Sequence, residues 1–201
     1  MKIKFISLLV LAALSVQCAP KKDIIQENVD HAEKQLALLI AAAEEGDTLR
    51  IPSTYKHGAI EFVPTDDWVS GFFAGTLWYM YELTGNEFYA EKAQKHTEIL
   101  HEIQFLKWHH DVGFMVYDSY GNGLRLKNLP GYDTVLVNTA KSLATRFRPK
   151  AGILQSWNTH NPEQWQAKRG WDCPVIIDNM MNLKLLFKVT EMTGDQTYKN
   201  I

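Results

Sequence analysis

A seven-residue pattern that occurs twice constrains this chain most. Leu83-Thr84-Gly85-Asn86-Glu87-Phe88-Tyr89 is echoed by Met192-Thr193-Gly194-Asp195-Gln196-Thr197-Tyr198. In each copy Thr-Gly closes an apolar helix, and a polar residue suited to an N-cap opens the next segment. The helices closed in this way, residues 68–83 and 175–192, are apolar almost all round, so each is expected to be covered on every side. The segment after the first glycine is the opposite case. Over residues 87–103, Phe88, Ala93, His96, Ile99, Leu100 and Ile103 share one face and charges fill the other. A buried helix followed by one with a wet face is what a ring of helical hairpins requires. The chain is therefore expected to be all-α.

The remaining segments fit around that frame. Residues 23–45 read as a helix with Ile25, Val29, Ala32, Leu36, Leu39, Ile40 and Ala43 on one face, stopped by Gly46. Residues 47–64 hold two prolines and read as a loop. Asp66 and Asp67 are placed to cap the helix over 68–83. Residues 104–130, rich in glycine and aromatics, read as a loop with a short inner helix or strand at 112–117. Asp133 is expected to cap a helix running to about residue 147. Residues 149–174 form a second long loop, and long loops in compact domains are usually functional.

The 201 residues are 46% apolar with a formal charge of −2, which suits one ordinary domain and gives nucleic-acid binding no electrostatic support. The N-terminus reads as a targeting segment. Lys2 and Lys4 precede an apolar run over 5–16 that is too short to span a bilayer, and Cys18 follows. This resembles a bacterial lipoprotein signal. Residues 1–17 are then a signal peptide, and Cys18 carries a lipid that anchors an exported protein in the periplasm or at the outer membrane. The body of the protein is residues 18–201. With Cys18 lipidated, Cys173 has no disulfide partner, so packing must hold the core.

Two aspartates carry the chemistry. Asp178 opens Asp178-Asn179-Met180-Met181-Asn182-Leu183 inside the apolar stretch 175–189. Asp111 lies in His109-His110-Asp111-Val112-Gly113-Phe114. Burying an ionisable carboxyl is costly, and two in one domain point to general acid/base work. The two histidines beside Asp111 lack a spaced third ligand, so neither a metal nor another cofactor is expected. Six tryptophans and eight tyrosines suit sugar stacking and a large aromatic core equally well.

Four stretches in order resemble glycoside hydrolase family 88, the unsaturated glucuronyl hydrolases. They are Trp68-Val69-Ser70-Gly71-Phe72, His110-Asp111-Val112-Gly113-Phe114, Ser119-Tyr120-Gly121-Asn122-Gly123 and the Asp178 motif; the likeness covers residues 66–201. The resemblance implies an (α/α)6 toroid of six helical hairpins. It implies removal of a 4,5-unsaturated uronic acid from the non-reducing end of lyase-generated oligosaccharides, by hydration of the vinyl ether double bond. Within it Asp178 is the general acid and then base. Asp111 orients the ring hydroxyls and tunes Asp178, while His110, Trp68 and Trp157 hold the sugar. Trp108, Trp165 and Trp171 receive no role. The alternatives are the related unsaturated rhamnogalacturonyl hydrolases and a sugar-binding lipoprotein without turnover. Twelve helices with their loops need about 220 residues or more, so the chain is expected to hold roughly the N-terminal half of such a ring.

Overall fold

The computed structural model describes residues 23–201. The signal segment 1–17 and Cys18 lie outside the described residues. The described residues fall into two compact units, divided between Leu36 and Ala37. Asp23 opens helix α1 (Ile24–Ala43), whose first part lies in the first unit, its carboxylate accepting from the backbone N–H of Ile25 (3.0 Å) and of Gln26 (3.3 Å). These are donors that a helix's own ladder leaves unpaired. Gly46, at φ 93°, supplies the stop after α1.

The second unit is built from helical hairpins. Helix α2 (Ser70–Thr84) packs on α3 (Glu87–Glu98), and a 3-10 turn follows at His101–Phe105. One continuous helical run then comprises α4 (Val112–Val116), a π turn (Tyr117–Gly121) and α5 (Asn122–Lys127). Helix α6 (Tyr132–Ala144), the four-residue α7 (Trp165–Lys168) and α8 (Asn179–Thr193) complete the helices. α4 packs against α6 and α8, and Leu100, Met115, Leu136, Leu143, Leu185 and Val189 between them are sealed from water. Each such leucine contributes about 1.5–3 kcal/mol by leaving water. No helix among the described residues is long and apolar enough to cross a membrane.

The repeated sequence builds the same corner twice. Thr84 and Thr193 donate their hydroxyls to the carbonyls of Met80 and Val189, each at 2.7 Å. Gly85 (φ 67°) and Gly194 (φ 75°) donate to Tyr81 and Thr190, each at 2.8 Å. The N–H groups of Asn86 and Asp195 return to the threonine hydroxyls at 3.2 Å. The Asn86 and Asp195 side chains then accept from Phe88 (3.0 Å) and Thr197 (2.9 Å).

Several expectations are corrected. Residues 47–64 are not only loop: β1 (Ile51–Lys56) pairs antiparallel with β2 (Ala59–Val63). A smaller pair, β3 (Phe147–Arg148) and β4 (Ile153–Leu154), ends the expected helix after Asp133 and starts the second long loop. The 104–130 region is mostly helix, because its glycines serve close helix contact rather than turns. A Cβ on Gly113 would overlap the Asn182 side chain, and one on Gly123 the Tyr132 ring. α2 starts at Ser70, with Asp67 bonding the N–H of Val69 (3.0 Å) one step before the helix. α2 and α8 are also not covered on every side. Tyr79, Leu83, Met180 and Phe187 are exposed, since no described element packs over those flanks.

Candidate active site

The residues singled out from the sequence gather at helix N-termini. Trp68 precedes α2, His110 and Asp111 precede α4, and Asp178 occupies the N-cap of α8. Asp178 is thus not within a buried helix as expected. The apolar residues before it are pulled out of helical register by the loop. Ile176 donates its N–H to Ser156 Oγ (3.0 Å), and Ser156 donates its own to Pro174 O (2.9 Å). Asp178 stands half-buried at the helix end and its side chain caps nothing.

Asp111 and Asp178, 67 positions apart in sequence, meet here. Donor atoms of His110, Asp111 and Asp178 all lie within 4.8 Å of one another. His110 is 3% and Asp111 7% exposed. His110 Nε2 is 3.0 Å from Asp111 Oδ1, yet the approach lacks hydrogen-bond alignment and that oxygen has no donor; Asp178 Oδ1 has none either. Two buried carboxylate oxygens are left unsatisfied, a costly state unless a ligand or proton is to be met there. Burial pushes the Asp178 carboxyl above its ordinary range; His110 opposes this and the neighbouring Asp111 charge adds to it.

His109 shapes the edge of the centre. Burial lowers its pKa, with Asp111 opposing, so the ring is held neutral. Its Nδ1 accepts the Asp111 backbone N–H (3.2 Å), which places the ring proton on Nε2. The 3.2 Å approach of the same Nδ1 to Asp111 Oδ2 is therefore not an ion pair. Among the described residues His110, Asp111 and Asp178 form the one cluster in which three such side chains bring an N or O atom within 4.8 Å of one another.

The supports of the centre were not legible in advance. Asn182, fully buried, accepts the Phe114 N–H of α4 through Oδ1 (3.1 Å) and donates to Asn179 Oδ1 (3.2 Å). Asn179 in turn donates to Leu154 O (2.6 Å). The two acid-bearing helix ends are therefore tied to each other and to the loop. Arg146, 2% exposed, ties the loop from the other side. It donates to the carbonyls of Gln155 (2.9 Å), Ser156 (2.9 Å) and Lys107 (3.1 Å), and to Asn158 Oδ1 (3.1 Å). A half-buried carboxyl not singled out from the sequence, Asp118, sits on the π turn; desolvation raises it to about 6 against the Lys184 charge.

Trp68 is 53% exposed and meets Phe72 edge-on (6.0 Å), while Phe72 stacks on Phe114 (5.6 Å). Trp157 lies on the loop bonded to residues flanking both acids. Asn158 donates to Trp108 O (3.1 Å), and the Trp108 ring is 4.8 Å from that of His109.

No family model matches the chain. It is 44% identical over 140 residues to the unsaturated glucuronyl hydrolase of Formosa agariphila, covering 69% of this chain and 33% of that protein. It is 32% identical over 150 residues to the unsaturated glucuronyl hydrolase of Bacillus sp. strain GL1, covering 72% and 38%. A solved structure, an unsaturated glucuronyl hydrolase specific for heparin, superposes with a TM-score of 0.71 at 35% identity, over 85% of this chain and 44% of that one. The chain thus spans well under half the length of the relatives it matches. In sequence and in helical-hairpin fold the chain thus matches part of the unsaturated glucuronyl hydrolases, whose structures are α/α toroids.

Proposed function

We propose that this protein is a glycosidase that removes a 4,5-unsaturated uronic acid from the non-reducing end of an oligosaccharide. The observation that carries this is the meeting of Asp111 and Asp178, both with an undonated carboxylate oxygen, beside His110. The likeness to unsaturated glucuronyl hydrolases supports it. Asp178 gives its proton to C4 of the vinyl ether, and positive charge settles on C5 and the ring oxygen. Water adds at C5 while the Asp178 carboxylate takes its proton back. The hemiketal then opens at the C5–O bond, and the hemiacetal left at C1 releases the next sugar as its alcohol. One water is consumed and no bond forms between enzyme and sugar. Asp111 holds ring hydroxyls and, by its charge, favours the protonated form of Asp178. His110, Trp68 and Trp157 position the uronyl ring.

Asp178 must begin protonated, so turnover falls as pH rises through its raised pKa. The experiment is to mix the protein with an unsaturated disaccharide and follow loss of the conjugated ultraviolet absorbance. Asp178→Asn is expected to slow that loss by about 10²–10⁴-fold, and heavy water is expected to place deuterium at C4. Near-wild-type decay in the variant, or an unlabelled C4, would refute the mechanism.

The basic and apolar leader further supports export, with residues 1–17 removed and Cys18 lipidated. Two or more acyl chains suffice for stable membrane anchoring. Cys18→Ala is expected to release the protein into the soluble fraction, and unchanged fractionation would overturn this.

A further inference from the structure

The two acids and His110 make a cluster that suits a metal ion as well as a sugar. His110 Nε2 lies 3.0 Å from Asp111 Oδ1, and one donor atom from each of His110, Asp111 and Asp178 lies within 4.8 Å of the other two. His110 is 3% and Asp111 7% exposed. Asp111 Oδ1 receives no hydrogen bond, and Asp178 Oδ1 receives none either. A buried oxygen left in this state awaits a proton or a cation. Among the described residues no lysine or arginine pairs with either acid. The Arg146 charge is felt at Asp111, but its N–H groups are taken by Lys107, Gln155, Ser156 and Asn158.

One imidazole and two carboxylates select the ion. Imidazole suits zinc, whereas calcium and magnesium take oxygen. Neighbouring donors on a tetrahedral zinc stand about 3.3 Å apart at ordinary Zn–N and Zn–O lengths, close to the His110–Asp111 spacing. The third donor has to swing inward, and Asp178 can: it is half-buried at the N-cap of α8 and its side chain caps nothing. The second nitrogen of His110 limits the affinity. Its Nδ1 is buried without a partner, whereas histidines in resident zinc sites have that nitrogen hydrogen-bonded, a support worth about 10–100-fold. The site therefore matches an ion that comes and goes. We propose that His110, Asp111 and Asp178 bind a zinc ion reversibly, with water completing the tetrahedron, and that zinc and substrate exclude each other. The ion takes the place of the proton that Asp178 must deliver, so it inhibits. The binding stands on the geometry alone; the inhibition rests on the hydrolase reading above.

The protein is titrated with zinc chloride in a calorimeter, beside His110→Gln, Asp111→Asn, Asp178→Asn and Cys173→Ser. Cys173 is a free thiol and the competing zinc ligand to be controlled. Wild type and Cys173→Ser should each bind one ion, and the three site variants should each bind at least about tenfold more weakly. Cobalt(II) added to wild type should show the visible bands of a four-coordinate ion without thiolate charge transfer, a readout that does not depend on how any variant folds. No uptake by wild type, equal uptake by the three site variants, loss of uptake in Cys173→Ser, or a six-coordinate cobalt spectrum would overturn the site. With an unsaturated disaccharide present, zinc should slow the loss of ultraviolet absorbance by raising KM at unchanged kcat, and a chelator should restore it. Inhibition that leaves KM unchanged would overturn the mutual exclusion. Failure of the hydrolase reading looks different: zinc uptake that needs all three residues, with no decay of absorbance whether or not a chelator is added.

Discussion

Asn182→Ala tests how the two acids are held at one spacing. The Phe114 N–H belongs to the first turn of α4 and has no partner within its own helix. Asn182 Oδ1 satisfies it from another helix, at 3.1 Å in a fully buried site. Truncation leaves that donor dry, at about 1–3 kcal/mol. It also removes the donor to Asn179 Oδ1, worth about 1 kcal/mol. The sum is roughly 2–4 kcal/mol, a large share of the ~5–15 kcal/mol by which domains are stable. At ~2–4 °C per kcal/mol for a chain of this size, the melting midpoint should fall by about 5–15 °C. Thermal unfolding followed by circular dichroism measures the midpoint, and urea unfolding the free energy. Asn182→Asp refines the test. Its neutral carboxyl can accept from Phe114 and donate to Asn179, whereas its ionised form is buried without a cation. Its stability relative to wild type should therefore improve as pH falls towards the ordinary carboxyl pKa. A loss below ~0.5 kcal/mol in Asn182→Ala, or no pH trend in Asn182→Asp, would refute the bracing role.

Other perturbations reach different supports. Arg146→Lys keeps the charge but cannot serve four acceptors with one fork, so about 2–4 kcal/mol should be lost. Limited proteolysis should then cut first within residues 155–172, and an unchanged digestion pattern would count against the staple. Gly71→Ala would drive a Cβ into the Met115 carbonyl, so α2 and α4 must part, at about 1–3 kcal/mol or more; wild-type unfolding midpoints would refute the close approach. His96 is buried with neither ring nitrogen hydrogen-bonded, and burial lowers its pKa from 6.5 to about 4, with Glu44 opposing. The unfolded chain then binds the extra proton between those values, so this contribution to stability shrinks as pH falls from about 6.5 towards 4. His96→Leu should flatten that limb of the urea midpoint against pH, and an identical slope would contradict it.

The motifs that carry the acids were legible because each is local. Their settings were not. Residues 175–177 are apolar and continue the helical pattern of α8, but bonds from Ser156, about twenty residues back, draw them out of it. Periodicity cannot register a partner at that distance, so Asp178 read as interior rather than terminal. The β1–β2 hairpin escaped notice for a related reason. Its turn uses His57 (φ 52°) and Gly58 (φ 84°) in place of the usual Asn-Gly, and β1 begins with a proline one residue in. Glycines at 113, 121 and 123 counted locally as helix breakers, whereas Gly113 and Gly123 are spacers between helices. The repeated corner was read correctly, since every residue it needs lies within the repeat and the turn before it.

That corner has a kinetic consequence. None of its hydrogen bonds, in either copy, links residues more than four apart. Forming it closes no long loop and so costs little of the chain entropy that delays distant contacts. Each corner can close while the rest of the chain is still sampling, and each fixes where one helix stops and the next segment begins. The α4–α8 bridge through Asn182 spans 68 residues and can form only after the helices it joins exist. The order is then built into how far apart in sequence the bonded residues lie: corners first, the acid pair last.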